Sequence, residues 1–229
     1  MNLQGIQKTT LLDYPGKVAC TVFTGGCNLR CPFCHNAGVV ESRYSGVLTE
    51  EEFFEYLKRR KGILDGVCVS GGEPTLQPEL PEFLRQIKAL GLAVKLDTNG
   101  FRPEILRRLL SEGLCDMVAM DIKNCKEKYA LTCGVAKLDT APAEESVRLL
   151  MESGLPYEFR TTVVRELHTE EDIAAIGEWI AGAERYWLQN FVDSGELIGK
   201  GYHAHSAEKL EKMRKIAEKF VKNAGIRGL

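Results

Sequence analysis

At 229 residues the chain is about one and a half times the ~150-residue yardstick for a domain, and it can bury roughly 70 to 75% of its unfolded surface without a disulfide scaffold. Its 30 basic against 32 acidic residues leave a net charge of -2, which predicts neither a polyanion-binding surface nor a disordered acidic tail, so nucleic acid is not an expected partner. No apolar run approaches the about 20 residues of a membrane helix, and Met1-Asn2-Leu3-Gln4-Gly5 lacks the basic and apolar regions of a secretory signal, so a cytoplasmic protein with no membrane partner is expected.

In chain order, Gly5 to Thr10 reads as an edge strand, and Asp13-Tyr14-Pro15-Gly16 turns it towards a first core strand, Val18 to Thr24. A helix over Thr49 to Arg59 opens with a Thr-Glu-Glu-Glu cap. Strands over Gly66 to Ser70, Leu92 to Asp97, Met117 to Ile122, Tyr157 to Val164 and Arg185 to Phe191 then alternate with helices over Glu79 to Leu90, Glu104 to Ser111, Ala143 to Ser153 and Thr169 to Ala181. A last helix runs from about Ala207 to Lys222, and Gly91, Gly113 and Gly154 stand where left-handed helix C-caps are wanted. Alternation of this kind requires parallel strands joined by right-handed crossovers. Six βα units either roll into a partial barrel or lie flat as a doubly wound sheet, and periodicity does not separate the two. In both, functional residues belong at the C-terminal ends of the strands.

The eight cysteines are expected to be reduced thiols. Cys20 and Cys68 sit in apolar runs as small hydrophobes, and Cys115, Cys125 and Cys133 have spacings that fit no ligation pattern. Cys27, Cys31 and Cys34 are different: they lie C-x3-C-x2-C on the loop over residues 25–36, directly after the first core strand. Three thiolates on a 4Fe-4S cluster leave one iron open to a substrate or cofactor. A closed zinc site with His35 as fourth ligand is the alternative that the spacing leaves standing.

The loop, with Phe33 just before its last cysteine, resembles that of the radical S-adenosylmethionine (radical SAM) superfamily. Ser70-Gly71-Gly72-Glu73-Pro74, Leu96-Asp97-Thr98-Asn99-Gly100-Phe101 and Met120-Asp121-Ile122-Lys123 follow at the next three strand ends, in the order found there. With Cys31-Pro32-Phe33-Cys34-His35-Asn36 they resemble the activating enzymes of glycyl radical proteins. The run Leu11-Leu12-Asp13-Tyr14-Pro15-Gly16-Lys17 is similar, within these, to the activators of anaerobic ribonucleoside-triphosphate reductase. The fold implied is α/β, a partial (β/α)6 TIM-like barrel: a single radical SAM core domain over 1–229, with the edge strand and turn at 1–16.

The resemblance implies a 4Fe-4S cluster on Cys27, Cys31 and Cys34, and S-adenosylmethionine chelating the open iron through its amine and carboxylate. It puts Gly71 and Gly72 at the methionyl amine, although a plain turn after a strand uses the same pair. It gives Glu73 and Asp97 cofactor contacts, Asp97 through a monovalent cation shared with Asp121; both are equally suited to capping a helix. Lys123 is a point charge for the carboxylate, or otherwise a solvated loop lysine. Arg160, inside an apolar strand, needs a buried partner and would complete the carboxylate site. Phe33 would pack beside the cluster and His35 near the cofactor. No catalytic side chain is expected beyond cluster and cofactor. One departure stands out: the related activator of pyruvate formate-lyase has a histidine after the sixth strand near the adenosine, where this chain reads Leu188-Gln189-Asn190-Phe191-Val192. No cysteine lies between Cys34 and Cys68, which excludes an inserted ferredoxin-like cluster domain.

The activity implied is that of an oxidoreductase. It would cleave S-adenosylmethionine reductively and use the 5'-deoxyadenosyl radical to install a glycyl radical on a partner enzyme, with electrons from a flavodoxin or ferredoxin. A radical SAM enzyme acting on a small molecule of the deazapurine type, and a zinc-binding interaction module, are the competing readings.

Overall fold

The computed structural model describes residues 1–229 except Ser45 and Ser194. Its strands are β1 (Leu3–Thr10), β2 (Ala19–Thr24), β3 (Gly66–Gly71), β4 (Ala93–Thr98), β5 (Met117–Asp121), β6 (Tyr157–Val163), β7 (Tyr186–Asn190) and β8 (Ala224–Arg227). The helices are α1 (Ala37–Val40), α2 (Glu50–Arg59), α3 (Leu80–Ala89), α4 (Pro103–Ser111), α5 (Tyr129–Thr132), α6 (Ala141–Glu152), α7 (Glu170–Trp179) and α8 (Ala207–Ala217). Strand order is β1-β2-β3-β4-β5-β6-β7-β8. The edge strand β1 runs antiparallel to β2, while β2–β3, β3–β4, β6–β7 and β7–β8 are parallel. A doubly wound sheet would reverse its order at a switch point, and this order never reverses. That order is the one expected of a partial TIM-like barrel: six βα units followed by a further parallel strand. Among the described residues no helix is long and apolar enough to cross a membrane.

By internal contact the chain forms two compact units, one of Met1–Asn28, Gly38–Thr98 and Arg102–Val118, the other of Leu29–Ala37, Asn99–Phe101 and Ala119–Leu229, with β5 contributing to both. In the first, Thr49 caps α2 by the reciprocal pattern its sequence announces. Its hydroxyl accepts from the Glu52 N–H at 3.1 Å, and the Glu52 carboxylate accepts from the Thr49 N–H at 2.9 Å. Phe53 and Leu57, one turn apart, bury that helix, with the Phe53 ring stacked on Phe83 of α3 at 5.3 Å. Gly91 and Gly113 cap α3 and α4 at φ +79° and +63°.

In the second unit the outward face of the sheet is apolar, as in Phe159, Val163 and Leu188, and α8 packs against β7 and β8. The opposite face carries Arg160, Trp187 and Arg227. Arg227 donates two 2.8 Å hydrogen bonds to Glu158, which is 1% exposed, and lies over the Trp187 ring at 4.4 Å. A parallel strand filled with core side chains reads as a near-continuous apolar run.

Two expectations need correction. β8 was not anticipated, and the last helix stops at Ala217 rather than near Lys222. Beyond Ala217 the chain turns to satisfy the loop after α7: the Gly182 N–H donates to the Phe220 carbonyl at 2.8 Å and the Lys222 N–H to the Ala183 carbonyl at 2.9 Å. That turn delivers residues 224–227 to the edge of β7.

Candidate functional site

The first unit supplies the base of the cysteine loop. After β2 the chain runs into Gly25 and Gly26, and the segment after β3 is bonded to it: the Gly72 N–H donates to the Thr24 carbonyl and the Glu73 N–H to the Gly26 carbonyl, both at 2.9 Å. A Cβ on Gly72 would stand 2.0 Å from the Gly26 carbonyl oxygen, and one on Gly71, at φ +128°, would stand 2.3 Å from both backbone N and O of Thr24. The Gly-Gly pair is thus required by the approach of two strand-end loops, one of which leads directly into Cys27.

Glu73 is fully buried. Its carboxylate accepts from the Thr75 N–H at 3.1 Å and the Thr98 hydroxyl at 2.8 Å, so it caps the 3-10 turn over Pro74–Leu76 and ties the end of β3 to the end of β4. The capping use expected of it is observed. Asp97 faces Ser70, whose hydroxyl donates to it at 3.3 Å, and is ion-paired with Lys95. Lys95 was missed from sequence. It is 1% exposed, in register with Cys68 across β3 and β4, with its ammonium 3.8 Å from that thiol. A lysine inside Ala93-Val94-Lys95-Leu96-Asp97-Thr98 was the available signal, since a buried ammonium needs a carboxylate nearby.

The second unit holds Cys31, Phe33, Cys34 and His35, with Phe33 buried. The Cys34 N–H donates to the Cys31 carbonyl at 3.0 Å, folding this part of the loop into a turn. The Arg30 N–H donates to the Cys133 carbonyl at 3.0 Å, and Cys133 hydrogen-bonds the Cys31 side chain. That bond, aided by Lys123 and opposed by burial, brings the Cys31 thiol down to about 7, so a thiolate is available for metal at neutral pH. Burial raises Cys34 and lowers His35. Cys133, expected to be unrelated to the loop, is its neighbour. Cys115 is pushed up to about 12 by burial, and Cys125 hydrogen-bonds Asp172 at 3.4 Å.

Lys123 and Arg160 do come together, on Asp121. The Lys123 ammonium and the Arg160 Nε each stand 2.9 Å from a different Asp121 oxygen. Burial works to raise the Asp121 carboxyl, but the two cations outweigh it and hold it well below the usual carboxylate range. Burial also works to lower Lys123, and Asp121 with Cys31 outweighs it upward. Lys123 and Arg160 thus place two cations on one carboxylate, with the Cys31 thiol acting on Lys123 as well. Asp97 and Asp121, expected to share a monovalent cation, each have protein cations beside them already.

Among the described residues no three or more of His, Cys, Asp and Glu are gathered about a point that could hold a single metal ion. No assembled ion site thus separates a Cys3His zinc centre from a three-thiolate cluster among these residues. Three thiols within eight residues, one of them ionising near neutrality, fit a three-thiolate cluster by the chemistry of the donor set.

The sequence model of the radical SAM superfamily matches residues 21–180, and the chain belongs to that superfamily. It is accordingly an enzyme whose cofactors are a 4Fe-4S cluster and S-adenosylmethionine. Over 236 residues it is 32% identical to a Methanocaldococcus jannaschii protein provisionally named a glycyl-radical enzyme activating enzyme, covering 98% of this chain and 95% of that one. It is 28% identical over 235 residues to the pyruvate formate-lyase-activating enzyme of Clostridium pasteurianum, covering 96% of each. A domain of the Bacteroides vulgatus pyruvate formate-lyase-activating enzyme superposes with a TM-score of 0.58 at 22% identity, over 71% of this chain and 99% of that one. Streptococcus suis SuiB bound to its precursor peptide SuiA gives 0.71 at 16% identity, over 91% of this chain and 48% of SuiB. These likenesses establish the fold.

Proposed function

We propose that this enzyme installs a glycyl radical on a partner protein, and that the partner is an anaerobic ribonucleoside-triphosphate reductase. The observation that carries the activase reading is end-to-end similarity to two activating enzymes, over nearly the whole of each chain. The 1–229 chain is read as one radical SAM core, cytoplasmic, served by a flavodoxin or ferredoxin. Cys27, Cys31 and Cys34 hold the cluster; Gly71, Gly72 and Asp97 border the methionyl amine; Lys123 and Arg160 receive the methionyl carboxylate; Phe33 excludes water beside the cluster. When bound, the cluster and S-adenosylmethionine supply one-electron reductive cleavage to methionine and a 5'-deoxyadenosyl fragment that takes a hydrogen atom from a glycine Cα.

The choice of partner rests on the run from Leu11 to Lys17. In the structure Leu11 and Leu12 are 69% and 85% exposed, while Tyr14, three residues on, is 3% exposed and fixes the turn against the core. Two exposed leucines on an anchored turn suit a contact with another protein. Similarity to pyruvate formate-lyase activators gives the competing partner.

The test mixes the reduced enzyme and S-adenosylmethionine with each candidate partner and records the electron paramagnetic resonance spectrum. A doublet from a radical coupled to one α-hydrogen, with one cofactor consumed per radical, is expected with the reductase and absent when its glycine is alanine. A doublet with pyruvate formate-lyase alone would transfer the assignment to that partner. Rapid turnover of a purine-like small molecule without any partner would remove the activase reading.

A further inference from the structure

Lys123 is held at more than its ammonium. Its N–H donates to the Tyr129 hydroxyl at 3.2 Å, and its carbonyl stands 2.8 Å from Nε2 of His168, a residue 1% exposed between β6 and α7. A carbonyl oxygen only accepts, so Nε2 carries the proton. Nδ1 stands 3.0 Å from the Val164 nitrogen, whose N–H donates to its lone pair, and 3.3 Å from the Val164 carbonyl; the shorter contact is the one the neutral imidazole makes. Burial lowers the pKa of His168, which favours that neutral form. Asn124 makes the same connection beside it: Nδ2 donates to the Leu167 carbonyl at 3.0 Å and the Thr132 hydroxyl at 2.8 Å, and Oδ1 accepts from the Cys125 N–H at 2.7 Å. Arg160 lies on β6 and Lys123 just beyond β5, so the strap joins the two segments whose cations meet on Asp121.

We propose that His168 is a positioning residue for S-adenosylmethionine binding: by fixing the Lys123 main chain it sets where the Lys123 ammonium stands beside Arg160. The inference rests on the reading that these two cations receive the methionyl carboxylate. It needs no ionisation of His168, only a donor at Nε2 and an acceptor at Nδ1. Glutamine can supply both; leucine supplies neither.

The experiment measures S-adenosylmethionine dissociation constants by equilibrium dialysis on cluster-loaded protein, with iron content checked for each variant. Lys123→Ala is expected to weaken binding about ten- to a hundredfold, the loss of one charge-assisted contact. His168→Leu should weaken it about tenfold at full iron content, and His168→Gln should restore most of that loss. In the Lys123→Ala background His168→Leu should cost nothing further, because two residues acting through one contact are not additive. Unchanged binding in Lys123→Ala would overturn the carboxylate reading and the inference with it. Weakened binding in Lys123→Ala, with His168→Leu fully additive to it, would overturn the inference alone. Should His168→Leu not fold, 15N spectra of the oxidised wild-type holoprotein decide: a ring protonated at Nε2 is expected, and one protonated only at Nδ1 contradicts the strap.

Discussion

Cys27→Ala, Cys31→Ala and Cys34→Ala are each expected to lose the cluster, against about four irons per chain in the reconstituted wild type. Each thiolate holds one iron, and removing one leaves two open corners that water and oxidants reach. Cys31 should be the most damaging, since its thiol is the one brought down to about 7 by Cys133 and Lys123. Iron and sulfide analysis after anaerobic reconstitution checks this. Cys115→Ala, Cys125→Ala and Cys133→Ala should leave the count unchanged, because their spacings fit no ligation pattern and the hydrogen bond Cys133 makes to the Cys31 thiol is one that iron replaces. Iron lost from Cys125→Ala would show a second cluster, and zinc retained in place of iron would support the interaction module.

Gly72→Ala is expected to be nearly as severe for a different reason. The added methyl would stand 2.0 Å from the Gly26 carbonyl oxygen and 2.6 Å from its carbon, and neither backbone atom can rotate away. Relief requires separating the segment after β3 from the segment after β2, which breaks the Glu73 N–H to Gly26 hydrogen bond and displaces Cys27. Overpacking of this kind costs about 1 to 3 kcal/mol, and the strain falls on the loop that binds iron. Thermal unfolding and iron content should therefore both fall. Gly91→Ala is the control. Its surroundings are open, its left-handed φ of +79° costs about 1 to 2 kcal/mol with alanine, and iron content should not change.

The alternation of elements was legible in part because some helices announce their own start. Thr49 with Glu52 spells a reciprocal cap, and Thr169 with Asp172 forms another, so local chemistry alone fixes both boundaries. The cysteine loop was legible for the same reason: its ligands lie within eight residues. β8 was not. Four residues carry no period, and what makes them a strand lies elsewhere: Glu158, 69 residues from Arg227, and the Trp187 ring, which a Cβ on Gly225 would meet at 2.1 Å. The partner of Arg160 was hidden likewise. That a buried guanidinium needs an anion follows from Arg160 alone, but that the anion is Asp121, already shared with Lys123, follows only from the fold, which bonds the Ile122 N–H to the Arg160 carbonyl. Cys133 and His168 touch the site from loops whose sequences carry no metal or cofactor pattern, and only the fold brings them there.

In this reading three thiolates leave one iron for S-adenosylmethionine. This is tested most directly by the electron paramagnetic resonance spectrum of the reduced, reconstituted protein before and after the cofactor is added. A spectrum whose g-values move on addition, in wild type and not in protein lacking one of Cys27, Cys31 or Cys34, is the predicted result. A fully loaded cluster whose spectrum is identical with and without S-adenosylmethionine would contradict the account.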